Sequence, residues 1–578
     1  MKQTRTLGEL FHFFIEILGP ENRYYILAVI YGVGISLLSL ATPISVQMLI
    51  NTVANTGLTT PLVVLSLTLF GLLTLAGMLQ ALRIHLMDLF GRRFYARMVS
   101  DIALRSIYAT NPFFDDNSKG PLFNRYFDII IVQKRLPVLF VGGFTIVLQS
   151  VVGFALVSFY HPYLLVFNLI VVAMVYLVWA IWGKRAIKSS MEVSHKKHAT
   201  AAWLEGLGSS NGFYKSARHI TDALHKTDAV TANYIREHER HFRQHFSQTL
   251  MFLFIWASAS ASLLGLGGWL VIQGQLSLGQ LVAAELVLSV VFAGIAQLGT
   301  YLTYFYDLCA AVEELSFFHD VGQDPPNLEQ PPITGDSSLT FVKAGGESRG
   351  TRLALDFKIP AGARIFATTH NHAAQRVFTS FLKRHERPDN GYVALGGQDF
   401  DSFQAHHLRQ EIIVLDRPNV VESSIREYLE FSYSSETGHD ILDVLETVGL
   451  GGVISQLSDG LDTRLAATGW PLSIMETMQL KLASAIIAQP RVLVLSQIYD
   501  MMPDEYMLAS FERLQQAAGT TIIYFSNKHS DLHFTSFLYL GEREQRLHES
   551  YAALCDAAGL PRRALEPVNG KPSIVQAS

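Results

Sequence analysis

The stretch LPVLFVGGFTIVLQSVVGFALVSFYHPYLLVFNLIVVAMVYLVWAIWG, Leu136–Gly183, contains no Asp, Glu, Lys or Arg. The hydrocarbon core of a bilayer takes roughly 20 apolar residues per helical span. A block of this length therefore holds two spans, joined by a turn near Tyr160–Tyr163. Working outward, Tyr24–Leu82 and Gln244–Ala284 are equally free of charge, and the latter continues past Glu285 to Tyr306. Each again accommodates two spans, so the pattern predicts six transmembrane helices. The 578-residue chain is only 16% charged, with a mean hydropathy of +0.24, which is low in charge for a soluble protein.

Positive charge sets the expected orientation. Lys2, Arg5 and Arg23 precede span one, Arg83, Arg92, Arg93, Arg97 and Arg105 follow span two, and Lys184, Arg185 and Lys188 follow span four. The turns near Asn51–Thr60, Tyr160–Tyr163 and Gln273–Gln280 carry no Lys or Arg. Both termini are thus expected in the cytosol of a multi-pass plasma-membrane protein, taken as a bacterial inner-membrane one. The first apolar block is too long for a signal peptide. Cys309 and Cys555 are the only cysteines, both on the expected cytosolic side, so no structural disulfide is expected. A net charge of −5 argues against nucleic acid as a partner.

Residues 1–20 include LGELFHFFIEIL, Leu7–Leu18, whose apolar spacing reads as an amphipathic interfacial helix ending at Gly19-Pro20. Residues 21–322 form the expected membrane domain, with polar helical extensions at Gly91–Arg135 and Lys184–Arg243. Residues 323–338, QDPPNLEQPPITGDSS, read as a linker. From Leu339 to residue 560, short apolar runs (ARIFAT, EIIVLD, RVLVLS, TTIIYF) alternate with helical patterns, which implies an α/β domain with a largely parallel sheet. Residues 561–578 are a tail.

Three segments resemble the half-transporters of the ABC exporter family. NPFFDDNSKGPLFNRYFD, Asn111–Asp128, is similar to that family's first intracellular loop; GQLSLGQL, Gly274–Leu281, resembles the turn between spans five and six. In the C-terminal domain, IPAG (Ile359–Gly362), GLDTRL (Gly460–Leu465), Leu472-Ser473 and QPRVLVL (Gln489–Leu495) fall in family order. The resemblance implies a six-helix, all-α transmembrane domain of ABC exporter type fused to a cytosolic α/β nucleotide-binding domain. It also implies a homodimer or a heterodimer with a similar half, surrounded by membrane lipid and open to further membrane or periplasmic partners. Asp115, Gly120, Arg125 and Asp128 match the pattern of the loop that couples the domains, or else simply cap and end a helix.

The nucleotide-binding motifs are a different matter. A phosphate-binding loop needs glycines so that backbone N–H groups can approach, a Lys for the phosphates and a Ser/Thr hydroxyl for Mg²⁺. In THNHAAQRV, Thr369–Val377, Thr369 and Ala374 stand where the resemblance implies glycines, Gln375 replaces the Lys and Arg376 the hydroxyl. Asp416 occupies the place of a metal-sensing Gln. The family's LSGGQ becomes LSIME, with Ser473 retained and Ile474, Met475 and Glu476 following. Ser496 and Gln497 replace the metal-supporting Asp and the catalytic Glu. Asn527, or Ser526 with a one-residue shift, replaces the switch His. The domain is accordingly read as degenerate, leaning away from enzyme activity, with no resident cofactor and with ATP held weakly or on a partner chain.

Further residues are candidate sites. Glu285, early in span six, is a candidate membrane site, since an intramembrane carboxylate is costly; an interfacial position in contact with water is the alternative. His238, His241 and His245 share a helical face, but interleaved Arg and Glu make it a solvated face rather than a metal site. His370 and His372 belong to a loop expected to be filled and inert, with anion binding aided by Arg376 as the other reading. The function that follows is a catalytically degenerate exporter-type subunit working with an ATP-competent partner. A structural or regulatory scaffold without transport, and a proton-coupled transporter using Glu285, are the alternatives.

Overall fold

The computed structural model describes residues 5–50, 59–111, 114, 120–324, 333–348, 350–432, 440–542, 544–561 and 564–568. Asp115 of the expected coupling loop lies outside them, as do most of the linker and the tail. The chain divides into two units, Met1–Gln323 and Asp324–Ser578.

The first unit is helical: α1 (Leu7–Leu18), α2 (Asn22–Leu38), α3 (Ala41–Met48), α4 (Thr59–Ile107), α5 (Asp128–Val138), α6 (Phe144–Ser158), α7 (Pro162–Ser209), α8 (Ala217–Ile272) and α9 (Leu278–Ser316). Among the described residues, six helical segments are long and apolar enough to cross a membrane, as the charge-free blocks predict. Helix α4 has 49 residues. At about 1.5 Å per residue it is roughly 73 Å long, more than twice a hydrocarbon core of about 30 Å. The excess is the polar extension seen in the sequence at Gly91–Arg105. Helix α1 is capped by Thr6 and Glu9 in a capping box. It buries Leu10, Ile17 and Leu18 against the bundle and leaves Phe11 and Ile15 exposed.

Pro137 lies inside α5, and the chain then takes a π-type turn at Leu139–Gly143 before α6. Proline removes one N–H and crowds the preceding turn, and a π-turn absorbs the mismatch. Arg83 serves this irregularity. Its place after span two makes it one of the charges that set the expected orientation, yet it is fully buried. Its guanidinium donates to the Phe140 carbonyl and, at 2.6 Å, to Thr145 Oγ1. A buried cation survives because a backbone carbonyl of the distorted turn receives it.

At the polar end of the unit Arg125 and Asp128 face inward. Arg125 Nε is 2.5 Å from Glu314 Oε2, and the Asp128 carboxylate takes Lys197 Nζ at 2.8 Å and His198 Nε2 at 2.5 Å. His195 Nε2 meets Glu313 at 3.1 Å. These two residues of the expected coupling loop therefore tie α5 to α7 and α9 within one unit. Gly120 opens the short 3₁₀ segment Gly120–Phe127 that delivers Arg125 to this position.

The second unit contains β1 (Leu339–Ser348), β2 (Thr351–Ile359), β3 (Arg364–Thr369), β4 (Asn390–Leu395), β5 (Gln398–Asp399), β6 (Ile412–Leu415), β7 (Val492–Leu495), β8 (Thr521–Phe525), β9 (Ser530–Asp531), β10 (Ser536–Leu540) and β11 (Gln545–His548). Six strands form a sheet in the order β11-β10-β3-β8-β7-β6, parallel from β10 to β6, while β2-β1-β4-β5 form an antiparallel sheet. The four runs that predicted strands are β3, β6, β7 and β8, adjacent in one sheet. Every residue of β7 and β8 is buried. That burial on both faces explains why the runs read as continuously apolar rather than alternating. Glu566 and Pro567 pair with β9, so part of the tail is anchored.

Candidate functional site

In a parallel α/β sheet, ligands bind beyond the carboxyl ends of the strands. Here β3, β6, β7 and β8 end at Thr369, Leu415, Leu495 and Phe525 on one edge of the sheet. The residues that follow gather there. A cavity of about 410 Å³ is lined by Gln375, Arg376, Thr379, Asp416, Ser496 and Gln497, with His372 and Arg417 also bordering it. Three segments distant in sequence, those after β3, β6 and β7, thus meet at one place.

The turn after β3 is built without glycine. None of Thr369–Val377 adopts a positive φ, so no left-handed backbone is needed. Thr369 Oγ1 donates to the Asn371 carbonyl at 2.7 Å. Asn371 then N-caps helix α10 (His372–Leu382), its Oδ1 accepting the Ala374 N–H at 2.8 Å. Ala374 and Gln375 are buried, whereas Arg376 is exposed at the cavity mouth. A helix start binds anions through its unpaired N–H groups; in α10 the Ala374 donor is already taken by the chain itself.

Asp416 sits against the cationic side. Burial pushes its carboxyl up from the ordinary value, opposed by Arg417, Lys481 and Arg376. Ser496 is buried and its Oγ has no hydrogen-bond partner among the described residues. Asn527 does not reach the cavity lining. Its N–H donates to Asp500 Oδ2 at 2.9 Å, and the same carboxylate accepts from Tyr524 Oη at 2.6 Å and Ser526 Oγ at 2.7 Å. Sequence reasoning missed Asp500, because nothing local marks a carboxylate that collects donors from a strand end 24 or more residues away.

Ser473, Ile474, Met475 and Glu476 do not line this cavity. They open helix α11 (Ile474–Ala488), where Ser473 Oγ accepts the Glu476 N–H at 3.2 Å and Glu476 Oε2 accepts the Ser473 N–H at 2.7 Å. The S-I-M-E spacing is a capping box, a signal that was present in the sequence. Ile474 is 58% exposed at the helix tip.

In the helical unit, Glu285 is flanked by buried Ala283, Ala284, Val287 and Leu288, and its Oε2 is buried without a hydrogen-bond partner among the described residues. The histidine face of α8 is less solvated than expected. His241 Nδ1 lies 2.9 Å from Ser189 Oγ, and His245 contacts Thr303 Oγ1 at 3.0 Å, while His238 stacks on Tyr234. Helices α7 and α9 pack on that face, which the local charge pattern cannot report. No cluster of three or more His, Cys, Asp or Glu able to hold a metal occurs among the described residues.

Comparison with known proteins gives this geometry a setting. Residues 25–205 match the family model described as ABC transporter transmembrane region. The chain is 24% identical over 543 residues to the ABC multidrug transporter mdr2 of Aspergillus fumigatus, covering 88% of this chain and 65% of that protein's length. It is 21% identical over 541 residues to the exotoxin translocation ATP-binding protein PaxB of Pasteurella aerogenes, covering 90% of this chain and 74% of that one. A solved bacterial Atm1-family ABC exporter with ATP bound matches with a TM-score of 0.78 at 15% identity, over 93% of this chain and 97% of that chain. At that identity the likeness is one of fold. The chain has the fold of that solved exporter, and an ABC transporter transmembrane region at residues 25–205.

Proposed function

We propose that this chain is the nucleotide-inert half of an exporter-type dimer, supplying membrane helices and a non-hydrolysing domain to an ATP-competent partner. One observation carries the reading: at each helix start that would face a nucleotide, a first-turn N–H is already taken by a capping side chain. Asn371 takes the Ala374 N–H in α10, and Ser473 with Glu476 forms a closed box in α11. A helix N-terminus attracts anions by roughly half a positive charge and its free donors. The Glu476 carboxylate at the start of α11 cancels that attraction and repels a phosphate.

The residues present do not fit a magnesium nucleotide. At the place of the metal-binding hydroxyl stands Arg376, a cation, and the place of the phosphate-pairing Lys holds the uncharged, buried Gln375. Positioning and charge neutralisation are nearly all the catalysis phosphoryl transfer requires, so losing both removes the reaction. A homodimer would then contain no competent site. With an intact partner, one composite site would lack its phosphate loop and the other its signature glycines. The relatives are named for multidrug transport and for exotoxin translocation, which supports outward transport for the assembly. The Lys/Arg bias supports cytosolic termini.

Mild-detergent isolation from the native membrane, with mass-spectrometric identification of what stays bound, tests the pairing. A second half-transporter with an intact G-x-x-x-x-G-K-[ST] loop is expected at equal stoichiometry. Recovery only as a homodimer without nucleotide would sink the heterodimer and leave the scaffold reading in its place. A proton-coupled reading is favoured by the unpartnered Glu285 Oε2. It requires a pH-driven flux in vesicles that Glu285→Gln abolishes, and an unchanged flux removes it.

A further inference from the structure

Where α7 and α8 leave their apolar stretches, Arg185, Lys188, Glu192, Glu237 and Arg240 border a cavity of about 460 Å³. The two helices are tied at its wall by Ser189, whose Oγ donates to Gln244 Oε1 at 3.1 Å. The charges around it are ordered. Helix α7 runs out of the apolar block and α8 runs back toward it, so Arg185 and Lys188 lie nearest the apolar zone. Glu192 and Arg240 lie farther out, level with one another across the register that Ser189 sets with His241 and Gln244, and Glu237 lies beyond them. Residues three and four apart share a helix face. Leu177, Ile181 and Arg185 therefore form one stripe, and Leu177 and Ile181 are 58% and 44% exposed. The cavity thus opens onto an apolar lane along α7.

We propose that this cavity binds the headgroup of a phospholipid that carries both a phosphate and a primary ammonium, a phosphoethanolamine lipid, with its acyl chains along α7. In such a lipid the phosphate is next to the glycerol and the ammonium is the distal end. The order of charges on the wall matches: cations beside the apolar lane for the phosphate, carboxylates beyond them for the ammonium. Neither Arg185 nor Lys188 forms an ion pair among the described residues, so both are available to an anion. Glu237 Oε2 is buried and has no hydrogen-bond partner among the described residues, although Arg240 stands 3.6 Å from it. A buried carboxylate oxygen without a donor is costly. A primary ammonium supplies N–H donors, which a quaternary choline does not. A purely anionic headgroup would satisfy the cations and leave the two carboxylates facing one another's charge. Basic clusters between helices at a membrane margin are known lipid sites; the added carboxylates are what select the zwitterion.

The test uses the full chain, exchanged into detergent and given defined lipids. Native mass spectrometry counts retained lipid, and a thermal midpoint is read in parallel. Phosphatidylethanolamine is expected to be retained about tenfold over phosphatidylcholine, the factor that one charge-assisted hydrogen bond supplies, and to raise the midpoint. Glu237→Gln is expected to abolish that preference while leaving retention of phosphatidylglycerol intact or higher. Arg185→Gln combined with Lys188→Gln is expected to lose both lipids, with circular dichroism checking that the variant is folded. Equal retention of ethanolamine and choline lipids by the unaltered chain would overturn the proposal. So would phosphatidylglycerol displacing phosphatidylethanolamine, which would mark a simple anion site. Protection by soluble glycerophosphoethanolamine equal to that of the lipid would also overturn it, in favour of a soluble ligand.

Discussion

Asn371 accepts the N–H of Ala374, and that one hydrogen bond settles how α10 begins. Replacing an N-cap Asn by Ala typically costs about 1 kcal/mol. Asn371→Ala should therefore lower the stability of the second unit by about that amount, read as faster hydrogen exchange in α10 of the full chain. The same variant is expected to gain no ATP binding, because Arg376 and Gln375 still stand in the loop. Arg83 makes a comparable case in the other unit. Arg83→Met leaves the Phe140 carbonyl and Thr145 without their donor, and an unsatisfied buried acceptor costs roughly 1–3 kcal/mol. A lowered thermal midpoint in detergent checks this; an unchanged midpoint would mean that the π-turn finds another donor.

Elements built from uninterrupted apolar runs were legible in the sequence. Strands β7 and β8 are buried along their whole length, so no polar residue broke the signal of VLVL or TIIYF. The charge-free blocks marked the spans for the same reason. What stayed hidden depends on packing between segments far apart: Arg83 received by a distorted turn, His241 and His245 covered by neighbouring helices, Asp500 gathering three donors. The site was half legible. The strand ends named its residues, yet the caps on α10 and α11 escaped notice although Asn before a helix and S-x-x-E are readable signals. Because the strands are intact, a restored loop should find its scaffold. The combined change Thr369→Gly, Ala374→Gly, Gln375→Lys, Arg376→Ser is expected to create saturable nucleotide binding, measured by equilibrium dialysis; no gain would place the defect deeper in the fold.

The end of α10 also predicts a pH response. Burial, aided by Arg409, Lys383 and Arg417, lowers the His385 imidazole from 6.5 to about 3. Between those values the unfolded chain takes up a proton that the folded one refuses, so stability present above pH 6.5 is lost as pH falls toward 3. Lys383, lowered from 10.5 to about 8 by burial and Arg409, gives the same sign at the alkaline side, with stability rising from pH 8 toward 10.5. His385→Gln should flatten the acid limb of unfolding-midpoint against pH. An acid limb identical to that of the unaltered chain would show that other groups carry it.

At the scale of the molecule, two units with separate cores serve different ends. The helical unit keeps its long spans and a buried ionic base around Asp128, Glu313 and Glu314. The α/β unit keeps its sheet and a cavity at the strand ends, with the starts of α10 and α11 capped by their own side chains. The most direct test is equilibrium binding of radiolabelled ATP with Mg²⁺ to the purified full chain in lipid nanodiscs, with phosphate release followed in the same sample. No saturable binding into the millimolar range and no release above background are expected. Saturable micromolar binding with turnover, abolished by Arg376→Glu, would contradict that.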